Sequence, residues 1–93
     1  MSALWTQEEA INFECARETI THLIAMVTAD LAKEETKATP DASLVQQYDR
    51  RRLELALERE NLSVSHHDDI ERIFAVYGKM IREHQSGLGL LAA

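Results

Sequence analysis

The chain has 93 residues, 45% apolar and 28% charged, which is the balance of a single small globular domain rather than of a disordered segment. Its formal net charge of −6 argues against direct binding to DNA or RNA, which needs Lys and Arg against phosphates. The excess is concentrated: residues 1–35 carry seven acids against two bases, and residues 36–93 carry nine against eight. The acidic N-terminal third points to a basic protein, or a basic pocket on one, as partner.

The first helix is expected to start at Thr6. Thr6-Gln7-Glu8-Glu9 reads as a capping box, with Thr6 as N-cap and Glu9 at the third helical position. Phe13, Ala16, Ile20, Leu23, Val27 and Leu31 then recur every three or four residues, one apolar stripe of an amphipathic helix over about 6–35. Thr39-Pro40 is expected to restart the chain as N-cap and first helical residue of a second helix over about 40–60. Its apolar positions are Leu44, Val45, Tyr48 and Leu55, with Leu53 and Leu57 on a second stripe. Asn61 to Ser65 is a short break, and Ser65 or Ser63 caps the next helix. Ile70, Ile73, Phe74, Tyr77, Met80 and Ile81 give the cleanest pattern, a third helix over about 66–85 that should stop before Gly87. Gly78 inside it is tolerable if helices approach closely there. Residues 86–93 are expected to form a flexible tail.

Nothing alternates with period two for long, so no strand is expected. Short connections place successive helices side by side and in opposite directions, giving an all-α antiparallel three-helix bundle with a long first helix, a single domain over 1–93. The first helix should be about 45 Å long and the others about 30 Å. The segment Leu4–Phe13 should therefore overhang the bundle. Trp5 then has two possible roles. It presents a binding surface on the overhang, or it folds back over the turn between the second and third helices and closes the base.

Chemistry is sparse. His66-His67-Asp68-Asp69 lie on successive helix positions and do not converge on one ion, so they read as a polar helix start. Glu14, Glu18 and His22 share a face but lack the Glu-x-x-His pairing of di-iron bundles and read as a solvated face. Cys15, the lone cysteine, excludes an internal disulfide and reads as a packed structural residue in an acidic helix. Arg50-Arg51-Arg52 reads as a salt-bridged exposed face, with Arg50 and Glu54 as an i, i+4 pair. There is no glycine-rich phosphate loop and no nucleophile elbow. The expectation is a protein that is not an enzyme and needs no metal or other cofactor. No basic segment followed by an apolar run opens the chain, and Leu23–Val27 is too short to span a bilayer. A cytoplasmic protein with neither a membrane nor a nucleic-acid partner is expected.

The arrangement from Thr6-Gln7-Glu8-Glu9 through Pro40-Asp41 to Ser65-His66-His67-Asp68 resembles, over the whole chain, the epsilon antitoxins and related small partners of zeta-type toxin kinases. The resemblance implies a P-loop kinase as partner, acting on a UDP-activated amino sugar, and a first helix that covers its nucleotide site. It maps that element onto Trp5–Arg17, with Glu8, Glu9 and Glu14 opposite the groups that hold phosphates and Trp5 and Phe13 in apolar pockets. Asn12 and Arg17 complete the expected partner-binding set, in a hetero-oligomer with the toxin. The residues themselves leave two other classes open: an immunity protein against another toxin such as a nuclease, and a homo-oligomeric regulatory or structural helical protein.

Overall fold

The computed structural model describes residues 5–92, with the side chains of residues 5–85. Leu4, expected on the overhang, lies outside the described residues. Among the described residues the chain is all-α, with three helical rods and no strand.

The first rod, α1 (Gln7–Glu35), has 29 residues and begins at the capping box. The Glu9 backbone N–H donates to Thr6 Oγ1 at 3.1 Å, and the Thr6 N–H donates to Glu9 Oε1 at 2.8 Å. Two N–H groups that a helix start would leave unmet are thus satisfied. The second rod, α2 (Ala42–Asn61), starts two residues later than Thr39-Pro40 would have it. Asp41 is the cap, its Oδ1 accepting from the Ser43 and Leu44 N–H groups at 3.0 and 3.2 Å. Its own N–H donates to Glu34 Oε2 at 2.9 Å, while Glu34 Oε1 accepts from Lys37 Nζ at 2.7 Å. Glu34 is 5% exposed, so one buried carboxylate ties the end of α1 to the start of α2. That tie, with an aspartate's strength as a cap, selects Asp41 over Thr39.

The third rod comprises α3 (His67–Arg72), a π-helical turn (Ile73–Tyr77) and α4 (Gly78–Ala92). Neither serine caps it. His66 holds the cap position without a side-chain cap bond, and its Nδ1 accepts from the Ser63 N–H at 3.1 Å. The hydroxyls of Ser63 and Ser65 lie 3.2 Å apart and meet each other instead. The helix does not stop before Gly87 but runs to Ala92. No described glycine adopts the positive φ that a glycine helix stop uses, and Leu88, Leu90 and Leu91 are good helix formers. The side chains of the tail lie outside the described residues.

The core joins Ala16, Ile20 and Leu23 of α1 to Leu55 of α2, Leu62 of the turn, and Ile70, Ile73 and Tyr77 of the third rod. Phe13, Ile24, Met26, Val27, Phe74 and Ile81 are half-buried against it. The stripe read on α1 is therefore its inward face. On α2 the second stripe faces solvent: Leu53 is 61% and Leu57 53% exposed, because each sits about 200° around the helix from Leu55. Met80 is also exposed, since the wider π turn hands the inward position to Ile81.

Side-chain contacts register the rods against α1. Arg59 Nη1 donates to Thr21 Oγ1 at 3.0 Å, His67 Nε2 lies 2.6 Å from Glu9 Oε2, and His84 Nε2 lies 3.7 Å from Asp30 Oδ1. Among the described residues, the expected overhang is absent. The turn after α2 carries the chain on to Glu9, so α3 begins beside the first turns of α1 and covers them. Among the described residues, no helix is long and apolar enough to cross a membrane.

Candidate protein-binding surface

Six of the seven residues singled out at the start of α1 divide between two clefts at its N-terminal end, and Arg17 lines neither. Trp5, Phe13 and Glu14 line one cleft of about 510 Å³ with Ala10 and the turn residues Leu62, Ser63 and Val64. Glu8, Glu9 and Asn12 line another of about 540 Å³ with Thr6 and His67, Ile70, Glu71 and Phe74 of the third rod. Trp5 joins features of both readings: it stands over the α2–α3 turn and stays 45% exposed. Phe13 is half-buried and packs on the core, with the Arg17 guanidinium 5.6 Å from its ring centre. Arg17 also meets Glu14 at 3.6 Å, an exposed pair one helical turn apart.

The carboxylates are not equivalent. Glu9 closes the capping box and meets His67 Nε2, and the bonds from the Thr6 N–H and His67 hold its carboxyl below the usual range. It is committed to the fold. Glu8 and Glu14 are exposed at the cleft rims. An apolar recess with an exposed carboxylate at its rim accommodates an apolar side chain next to a basic group.

The remaining candidates resolve individually. Cys15 is exposed rather than packed, because it lies about 100° off the inward position held by Ala16. Glu14, Glu18 and His22 face solvent. His66 and His67 turn to different partners, Ser63 and Glu9, and among the described residues no group of three or more His, Cys, Asp or Glu side chains could hold a metal ion. Arg50 does not pair with Glu54, which meets Arg51 at 3.6 Å, while Arg52 pairs with Asp49.

One cluster escaped the reading of the sequence. Glu58 Oε1 accepts from Tyr77 Oη and Oε2 from Arg72 Nη2, both at 2.5 Å. The guanidiniums of Arg51 and Arg72 each lie 5.7 Å from the Tyr77 ring centre. The partners come from separate rods, and no local spacing announces them. Comparisons with protein-family models, curated proteins and solved structures find no match.

Proposed function

We propose that the chain is an antiparallel three-helix bundle that works as an antitoxin, binding a zeta-type toxin kinase and covering its nucleotide site with the start of α1. The observation that carries this reading is the apolar cleft at Trp5 and Phe13, with Glu14 at its rim and Glu8 at the neighbouring cleft, on a helix with seven acids against two bases. Trp5 and Phe13 supply the apolar contact. Glu8 and Glu14 stand in for phosphates opposite the kinase's basic groups, since a carboxylate is a protein's simplest counterpart to a phosphate oxygen. Glu9, Asn12 and Arg17 shape and flank the surface, with Glu9 holding the helix start. The chain acts as a stoichiometric cytoplasmic inhibitor, without catalysis, cofactor, membrane or nucleic acid.

The test co-expresses the chain with the protein encoded beside it and follows that protein's ATP-dependent phosphorylation of a UDP-linked amino sugar. The wild-type chain abolishes the reaction. Glu8→Lys/Glu14→Lys weakens inhibition by roughly one to two decades, the scale of two partly exposed charge-assisted contacts. Glu35→Lys, at an exposed position on the same helix about 30–40 Å away, reverses a charge in the same way and leaves inhibition intact. Equal inhibition by the double reversal and the wild type overturns the phosphate-mimic reading.

A further inference from the structure

The outer face of α2 carries an exposed line of residues with a symmetry of its own. Arg50, Leu53, Leu57 and Glu60 succeed one another at steps of three, four and three, so they form one line along the helix. All four are exposed. The line is a palindrome in spacing. Turned end for end about its midpoint, Leu53 lies on Leu57 and Arg50 lies on Glu60. Steps of three and four are also those of a coiled-coil seam, in which antiparallel partners pair the two kinds of seam position with each other.

The charges support the same symmetry. Six of the eight charged residues of α2 are engaged within the chain: Asp49 with Arg52, Arg51 with Glu54, Glu58 with Arg72 and Tyr77, and Arg59 with Thr21. Among the described residues, the two left without an ion pair or side-chain hydrogen bond are Arg50 and Glu60, the opposite charges that a two-fold axis would bring together. The helix has four acids and four bases, so two copies meet without net repulsion. Two copies of α1, with seven acids against two bases, would not.

We propose that the chain forms a two-fold symmetric homodimer through an antiparallel α2–α2 contact, with Leu53 against Leu57 and Arg50 against Glu60 of the second copy. The α1 surface assigned to the toxin takes no part in this contact, so the proposal stands or falls independently of the antitoxin reading.

Sedimentation equilibrium of the full chain over a range of concentration reads the mass directly, and far-UV circular dichroism checks that each variant keeps its helices. The wild type reaches twice the 10.6 kDa monomer mass. Arg50→Glu alone and Glu60→Arg alone each place like charges at both ends of the seam and raise the dissociation constant at least about tenfold. Mixing these two variants in equal amounts restores dimers, because each chain then offers the charges the other lacks. Leu53→Ser removes an exposed side chain and lowers dimerisation without loss of helix. A wild type that stays monomeric, as it would if this face served only a different protein, overturns the proposal. So does a dimer indifferent to the reversals, or two reversed variants that fail to associate when mixed.

Discussion

Glu58 shows how a single residue couples the fold to pH. Burial favours its neutral form, but the hydrogen bonds from Tyr77 and Arg72, with the positive charge of Arg72 and Arg51, outweigh that, and its carboxyl titrates below the ordinary value of 4.5. Glu9 and Glu34 are displaced the same way, Glu9 by its bonds to Thr6 and His67, Glu34 by Lys37 and the Asp41 N–H. A carboxylate with a folded pKa below its unfolded one stabilises the fold above the unfolded value. That contribution is lost as pH falls through the folded value. Stability to urea is therefore expected to change little between neutral pH and about pH 5 and to fall steeply below about pH 4.5. Glu58→Gln should be less stable at neutral pH and lose less on acidification. Tyr77→Phe, which removes a donor to a charged acceptor, should cost about 1–2 kcal/mol. Urea titrations followed by circular dichroism at several pH values check all three. An acid decline as steep in Glu58→Gln as in the wild type would assign the effect to Glu9 and Glu34.

At the scale of elements, the starts and irregularities of the helices are decided by a few backbone groups. Asp41→Ala removes the acceptor for two N–H groups at the start of α2 and should cost about 1 kcal/mol, whereas Thr39→Ala, outside the cap, should cost a few tenths at most. Gly78 closes the π turn in right-handed helical geometry, and a Cβ there would meet only the flexible end of Arg82, 3.2 Å away. No neighbouring helix requires the glycine. Gly78→Ala should thus raise stability by about 0.5–1 kcal/mol, read as a higher melting temperature. These positions also mark where the sequence stops being legible. The capping box of α1 and the stripe from Phe13 to Leu31 can be read because each depends on residues three or four apart. The start of α2 cannot, because Thr39-Pro40 and Asp41 both carry valid cap signals and a buried carboxylate seven residues upstream chooses between them. The π turn, which moves Met80 outward, leaves no spacing signature of its own. At the candidate surface, the N-terminal end of α1 could be singled out from its charge and its tryptophan. The division into two clefts and the engagement of Glu9 with His67 depend on where the third rod begins.

The whole molecule is long and thinly packed. Its radius of gyration is 16.1 Å, against about 12 Å for a compact chain of this length. The central core holds eight buried apolar residues, of which α2 contributes only Leu55. Beyond Leu55, the apolar residues Leu44, Val45, Tyr48 and Ala56 of α2 are only half-buried, and polar contacts add to them at Glu34 with Asp41, at Arg51 against the Tyr77 ring, and at Glu58 and Arg59. A folded chain of 93 residues has a total stability of roughly 5–14 kcal/mol, and truncating a fully buried leucine costs about 2–5 kcal/mol. Leu55→Ala should therefore consume a large share of the stability and release α2 ahead of the other rods. Hydrogen exchange followed by mass spectrometry would then show amides of α2 exchanging faster while those around Ile20 and Ile73 keep much of their protection, because these two residues, both fully buried, hold α1 to the third rod. Leu53→Ala, two residues away on the solvent side, should change stability by no more than about 0.5 kcal/mol when measured at concentrations low enough to keep the chain monomeric. Uniform loss of protection across all three rods in Leu55→Ala would mean instead that α2 is indispensable to the α1 contact with the third rod, and that the thin core folds as one cooperative unit.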